Sequence, residues 1–484
     1  MVDALAVSQV NVVELSQEEL KWRTVSLSEI IRSKKRLEAA VFDVEGKHAR
    51  KTINNCKYDT YPLCGDGGVS SAYTCGRFKR VWLPQSELPI FQPSSIMDIK
   101  PTPNGYLSPI TKTDIDTLRV KNGQILITCS GTIGKVSLVS KTLDNQIFSH
   151  DLIRMDVKNP EDIGYVYAYL RSDIGNTLLQ TNRYGAVIQH IEPHHLGDIP
   201  IPDAPDNLKH KIHDLIIWSY DLRDQSNELI DKATEMLIDG LKLPPLSEMV
   251  TAQFNDAKKI NNYNVKLSDI HGRLDGSYHV PIVTAIENHL QKFAGEVTNV
   301  GDDRISRNII LPGRFKRVYV EKGQGRVFFS GKDIMELDPS DKKYLSFSQH
   351  EKRIKEQLTV HQGMILVTCS GTVGKVAIVP KHWDGWAMTH DIIRLVPQEG
   401  IAGYLYIWLQ SPFTHKLIEA MSYGSVVKHI EIAHIKEIPV PILKDNEVQT
   451  EINRLALEAN VMRCEAYKLE QEAMQIMNDE VLFA

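Results

Sequence analysis

Two near-identical strings, CSGTIGKVSLV at Cys129–Val139 and CSGTVGKVAIV at Cys369–Val379, are the first candidates for chemistry in this chain. A lysine behind a glycine-rich turn suggests a phosphate-binding loop. That loop needs Gly six residues before its Lys and Ser or Thr directly after it. Here those places hold Cys129 and Val136, and in the second string Cys369 and Val376. The strings therefore read as tight β connections whose glycines let a ligand approach the backbone. Ser130, Thr132 and Lys135, with Ser370, Thr372 and Lys375, are the candidate ligand contacts, the two lysines for phosphates. Ser130, His150 and Asp151, matched by Ser370, His390 and Asp391, have the composition of a hydrolase triad. Neighbours on a strand point to opposite faces, so each adjacent His and Asp should not bond as a triad requires. His190, Glu192 and His195, matched by His429, Glu431 and His434, lack the i,i+4 histidines of a zinc helix. They read as caps, packing groups or DNA contacts, and no metal is expected. Arg77, Lys79 and Arg80 interleave with Phe78 and Trp82, and Arg314, Lys316 and Arg317 with Phe315 and Tyr319. Basic residues among aromatics in an irregular segment suit phosphate contact. Nuclease and methyltransferase signatures are missing, so no catalytic residue is assigned.

Each of these strings occurs twice, in one order. GRFKRV recurs at Gly76 and Gly313, an offset of 237, and the CSGT strings are offset by 240. SHDLIR (Ser149–Arg154) returns as THDIIR (Thr389–Arg394), and DIPIP (Asp198–Pro202) as EIPVP (Glu437–Pro441). YGAVIQHIE (Tyr184–Glu192) returns as YGSVVKHIE (Tyr423–Glu431), adding Tyr184, Gly185, Gln189, Tyr423, Gly424 and Lys428 to the candidate contacts. RLEA at Arg36 and RLDG at Arg273 open the two copies. The chain is a tandem duplication. Each unit starts with a mixed domain, over 23–205 and 271–445. In the first copy, QILITCSGTIGKVSLVS reads as two strands about a turn and SHDLIRMDV as another strand. EDIGYVYAYLRSDIGNTLLQTN reads as one or two short helices.

A long helix follows each mixed domain, over 206–241 and 446–484, with a linker at 242–270 between the units. The first carries a heptad seam of Ile212, Leu215, Leu222, Leu229 and Met236, the second of Ile452, Leu455, Met462, Leu469 and Ile476. Ser219, Ser226 and Ala233, with Ala459, Ala466 and Ala473, lie between them and permit a close approach. One helix is mid-chain and the other follows the second domain, so an antiparallel coiled coil with a pseudo-twofold axis is expected. It would be a rod of about 50 Å with a mixed domain at each end. The fold class is α+β.

The net charge of −5 over 484 residues would discourage a nucleic-acid partner if it were evenly spread. It is not. Acids outnumber Lys and Arg by eight to four over 206–241, eight to three over 446–484, and four to none over the first 20 residues. What remains, +8, falls on the two mixed domains and the linker. Six scattered cysteines form no C-x-x-C pair, and no apolar run approaches the ~18–20 residues of a membrane helix. A reduced, cytoplasmic location without membrane attachment is expected. The acidic stretch 1–22 is an N-terminal extension without assigned role.

These features together resemble the specificity subunit of type I restriction-modification enzymes, which has two target-recognition domains, each followed by a long helix. The SGTIGKV and SGTVGKV strings carry the resemblance, with the Tyr-Gly…His-Ile-Glu blocks and the Ile199–Pro202 and Ile438–Pro441 stops before the helices. It spans nearly everything after about residue 23. The stretches after those stops, from Asp203 and from Ile442, depart from the family's Pro-Pro-Leu-x-Glu-Gln pattern. A type IIB or other type I-like relative also fits. The resemblance implies a non-catalytic subunit that reads a bipartite, asymmetric double-stranded DNA target, one half per domain. Two methyltransferase subunits holding S-adenosylmethionine would methylate adenine N6, and motor-nuclease subunits would join them for cleavage. The chain itself would bind no cofactor. Segments unlike between copies, 44–75 and 84–120 against 282–312 and 321–360, would read base edges. The alternative is a duplicated protein- or ligand-binding scaffold on a coiled-coil rod.

Overall fold

The computed structural model describes residues 24–484 apart from 33–34, 36, 38–41, 186–187, 254–262, 271 and 341. The extension at 1–22 and the start of the first repeat at Arg36 lie outside the described residues. The strand Ile125–Thr128 shows how each mixed domain is built. All four residues are buried, as a strand covered on both faces requires. Ile125 and Ile127 enter a core with the domain's helices, while Leu126 enters a second core with Phe91, Phe148 and Leu152. The period of two thus splits one strand between two cores. Ile365 and Val367 against Leu366 repeat the division in the second domain.

Around this strand the first domain forms an antiparallel sheet in the order Ser70–Tyr73, Leu152–Val157, Ile125–Thr128, Val136–Leu138. A second sheet runs Trp82–Leu83, Gly105–Leu107, Pro89–Phe91, Ile147–Phe148, its last pair parallel. Thr60–Pro62 pairs with Pro200–Pro202, so the first and last strands close the domain side by side. The second domain repeats all three pairings, with Glu296–Asn299 against Pro439–Ile442 as its closure. The expected strands about the Ser-Gly-Thr turn are present, as are two short helices, Ile163–Arg171 and Asp173–Thr181. Ser172 caps the second of these by accepting from the Gly175 N–H at 3.0 Å. The linker region contains a helix, Leu246–Gln253.

The central helix, Asp206–Gly240, and the distal helix, Asn446–Ile476, pack antiparallel. Near the middle, Ser219 Oγ donates to the Ala466 carbonyl at 2.7 Å and Arg463 Nε to Ser226 Oγ at 3.2 Å. The small seam residues Ser219, Ser226, Ala233, Ala459, Ala466 and Ala473 are all buried. Leu215, Leu222, Leu229, Met236, Met462 and Leu469 flank them half-buried, and Ile212, Ile452, Leu455 and Ile476 are fully buried. Each end of the pair completes one domain's core. Ile212 and Ile216 join Ile476 and Met477 under the first domain, and Ala233 and Leu237 join Ile452 and Leu455 under the second. A side chain on Gly164 would collide with the His213 backbone, at 2.6 Å, and Gly403 stands likewise against Asn453. The short helices therefore sit backbone-close on the long ones.

The domains do not stand apart at the two ends of the rod. Each lies along half of it, and they meet near its middle, where the Ile99 N–H donates to the Met335 carbonyl at 2.9 Å. The reason is coverage: a 35-residue helix is about 52 Å long, and each domain needs roughly half of that to bury its apolar helix face. No bare stretch remains between them.

Candidate nucleic-acid interface

The hairpin that carries Ser130 and Thr132 is closed by its own backbone. Thr128 N donates to Lys135 O and Lys135 N to the Thr128 side-chain Oγ1, both at 3.0 Å, and Gly134 N donates to Thr128 O at 3.1 Å. Gly131 and Gly134 have φ of +71° and +87°, and Gly371 and Gly374 match them at +76° and +87°. These are left-handed conformations that L side chains rarely adopt. Their pattern leaves residues 131 and 132, and 371 and 372, exposed at the hairpin tips.

A second loop leans on each tip. Gly131 N donates to Gln189 O at 3.1 Å, and Gly371 N to Lys428 O at 3.0 Å. Tyr184 and His190 exchange two backbone hydrogen bonds, as do Tyr423 and His429. Gly185 and Gly424, both at φ +102°, make the turn. The Tyr184 hydroxyl donates to Glu192, and the Tyr423 hydroxyl to Glu431 at 2.5 Å. That bond raises each phenol's pKa above its ordinary value. Glu192 and His195 form a reciprocal capping box, with the Glu192 N–H donating to His195 Nδ1 at 3.0 Å. Glu431 and His434 repeat it. The H-x-E-x-x-H residues are thus caps and loop struts, and among the described residues no group of three His, Cys, Asp or Glu is arranged to hold a metal.

The basic segment joins the same surface. Arg80 Nη2 donates to Ser149 Oγ at 2.8 Å and Arg317 Nη2 to Thr389 Oγ1 at 2.9 Å, which anchors each segment. Arg77, Lys79, Arg314 and Lys316 remain exposed beside the anchors. The Arg77 guanidinium acts on both the Tyr184 phenol and the His150 imidazole, so segment and loops converge in the first domain. Arg314 acts on His390 in the same way. Burial is the main force that holds both imidazoles below their usual pKa. Each domain thus offers a glycine turn, hydroxyls and exposed cations, Arg77 and Lys79 in the first and Arg314, Lys316 and Lys428 in the second.

Two expectations need correction. Adjacent His and Asp do touch: His150 Nε2 lies 3.3 Å from Asp151 Oδ1, and His390 Nε2 3.2 Å from Asp391 Oδ1. Residues 149–151 form a turn between strands, so strand alternation does not apply to them. Asp151 also faces Arg80, at 3.7 Å, and Ser149 Oγ, at 3.4 Å, so the pair belongs to the anchor of the basic segment. Lys135 does not point at this surface. Its ammonium pairs with Glu336 of the second domain at 2.7 Å, with the Glu336 side chain 3% exposed. Segments 44–75 and 282–312, although unlike in sequence, both fold as a helix, a closing strand and an edge strand. Structural divergence is concentrated in 84–120 against 321–360, where Phe347–Arg353 is helical and the first domain has only short strands and single turns.

Arg154 and Arg394, within the repeated SHDLIR and THDIIR strings, hold each site together without being among its sequence candidates. Both are wholly buried, and they donate to the Leu118, Phe148 and Ser149 carbonyls and to the Leu358, Met388 and Thr389 carbonyls respectively. They fix the turn that bears His150 or His390 to the sheet. An arginine alternating with Leu152 or Ile392 between apolar neighbours on a strand is the available signal.

Residues 321–455 match the family model of the type I restriction modification DNA specificity domain. Among solved structures, a type-I restriction-modification system S subunit from M. genitalium aligns over 89% of this chain and 96% of its own, at 15% identity and TM-score 0.29. A chain from a structure described as the basis of complex assembly and conformational transition of the type I R-M system aligns over 87% and 98%, at 14% identity and TM-score 0.27. The HsdS subunit from Thermoanaerobacter tengcongensis aligns over 85% and 96%, at 14% identity and TM-score 0.25. No curated protein matches the chain. Among the described residues, no helix is long and apolar enough to cross a membrane.

Proposed function

We propose that this chain is a non-catalytic DNA sequence-specificity subunit of a type I or type I-like restriction-modification complex. One observation carries the reading: the surface of glycine turn, tyrosine loop and basic segment occurs twice, on domains related by the pseudo-twofold of the helix pair. The family match, over 321–455, covers the larger part of the second copy, and the internal repeat at offsets of 237–240 carries it back onto the first. Arg77, Lys79, Arg314 and Lys316 would neutralise phosphates, while hydroxyls of the paired loops would hold the sugar-phosphate register. The divergent segments 84–120 and 321–360 would read bases, one half-site each. Adenine methylation, and with it base flipping, would belong to two methyltransferase partners that hold S-adenosylmethionine. Cleavage would belong to motor-nuclease subunits.

The test is modification mapping by long-read sequencing of a host that expresses the chain with its methyltransferase partner. A new split methylated motif is expected, and its absence with both proteins soluble overturns the reading. In the assembled complex, Arg77→Ala and Arg314→Ala should each lower the salt slope of duplex binding by about 1. A slope unchanged by either substitution would favour the scaffold alternative.

A further inference from the structure

The two domains touch through equivalent pieces of the repeat. Ile96-Met97-Asp98 corresponds to Ile334-Met335-Glu336 at an offset of 238. These segments meet edge to edge, with Asp98 bridged antiparallel to Glu336 and the Ile99 N–H bonded to the Met335 carbonyl. Lys135 reaches across to Glu336 at 2.7 Å, and Glu336 also accepts from the Ser340 N–H at 2.8 Å. Burial pushes the Asp98 carboxyl up to about 7; Lys375 and Lys135 pull it down, while Glu336 and Asp333 push it further up. Both segments are also clamped to the helices. Asn227 Nδ2 donates to the Ile99 carbonyl at 2.9 Å and Lys100 pairs with Asp231. On the other side, His382 stacks on Tyr467 at 4.1 Å and bonds the Leu337 carbonyl at 2.9 Å.

A buried ion pair between two domains is costly to form and holds only in one geometry. Lys135 also sits in the hairpin whose tip presents Ser130 and Thr132, so the same turn that faces the ligand is tied to the other domain.

We propose that this contact is a spacing lock: Lys135 and Glu336, with Asp98 and Ile99, fix the distance between the two recognition surfaces and hence the number of unread base pairs between half-sites. Lys135, Glu336 and Asp98 are positioning residues in this scheme. The consequence for DNA rests on the function proposed above, whereas the lock itself does not. The helix pair sets the coarse separation, and the lock removes the remaining play. One base-pair step is about 3.4 Å, so a small opening at the contact is enough to change the count.

Two readouts test it in the full-length chain. Spin labels at the exposed positions Ile110 and Phe347 should give one narrow distance distribution. Lys135→Met should widen it by about 3.4 Å or more, one base-pair step. The double variant Lys135→Met/Glu336→Gln avoids an unpaired buried carboxylate and should widen it likewise. In the host expressing the methyltransferase partner, either variant should keep both half-sites but add a second spacer length. An unchanged distance distribution overturns the lock. A widened distribution with a single unchanged spacer overturns its role in spacing. A widened distribution in a protein that directs no split motif at all upholds the lock and overturns the DNA reading.

Discussion

The first domain is fastened to the helix pair by a carboxylate, the second by an aromatic stack. Asp224 accepts from Ser140 Oγ and the Lys141 N–H, both at 2.9 Å, from the Thr142 N–H at 3.1 Å, and from the Thr142 hydroxyl. One repeat later, Cys464 stands in the place of Asp224 and His382 in that of Thr142. There the His382 ring lies on Tyr467, and Asn460 Nδ2 donates to the Val379 carbonyl at 3.2 Å. The helices differ in the same manner. Arg223 pairs with the buried Glu470, which also faces Arg171 at 3.7 Å and accepts from the Tyr167 hydroxyl at 2.8 Å. Among the described residues its counterpart Arg463 bonds to neutral partners, Ser226, Asn227 and the Tyr406 hydroxyl. The loops of the candidate interface, by contrast, share their main contacts: the tip bond from Gly131 or Gly371, the paired tyrosine and histidine backbones, the tyrosine–glutamate bond and the capping box. Attachment needs only some set of satisfied contacts, so its chemistry is free to drift. Under the proposed function, a surface that meets the same kind of backbone twice would not be.

If the helix halves are held by unlike means, removing each should cost unlike amounts. Glu470→Ala leaves two buried guanidiniums without a counter-charge and should destabilise the protein by about 3–5 kcal/mol. Asn227→Ala, on the neutral side, should cost about 1–2 kcal/mol. Denaturant unfolding measures both, and equal losses would erase the distinction. The shared scaffold predicts the opposite pattern. Arg154→Met and Arg394→Met each strand several buried carbonyls and should cost about 2–4 kcal/mol alike. A difference of more than about 1 kcal/mol between them, outside the usual spread of such measurements, would mean that the two turns are not held in the same way.

A titration separates the two attachments as well. Burial holds the His382 imidazole down to about 4, with Lys342 and Arg223 adding to it and the bond to Leu337 opposing. The unfolded chain takes up that proton near 6.5. Stability from a neutral His382 is therefore complete above about 6.5 and declines as pH falls toward about 4, by about 3 kcal/mol. His382→Thr, which copies the first domain, should remove that part of the pH dependence. Thermal unfolding between pH 7 and 4 reads it, and a variant as acid-sensitive as the parent would refute the assignment.

Much of this architecture was legible because it was written twice. Repetition marked the hairpins, the tyrosine loops and the long helices, and period-seven spacing placed Ser219, Ala466 and their neighbours on one seam. What stayed hidden depends on which element covers which. Ile216 and Tyr220 are buried under the first domain, off the heptad seam, where helix periodicity cannot say that a second surface exists. Lys135 reads as a phosphate ligand from its glycine neighbours, and only the meeting of the domains turns it toward Glu336. The buried arginines were hidden because their partners are carbonyls, which every sequence has.

The first domain's core contains Ala473, Ile476, Met477, Val481 and Leu482 beside Ile201, Leu208 and Ile212. These contributions come from stretches about 260 residues apart in the chain, and at about 5–20 residues per second of synthesis the later one follows by tens of seconds. Throughout that interval the first domain carries an unsealed apolar groove on the ribosome. The second domain waits only for the stretch made directly after it, since the helix residues it needs, Ile230 to Leu237 and Ile452 to Ala459, flank it on either side. The domain made first is therefore the one finished last, and it is the one most dependent on protection while the rest is being translated.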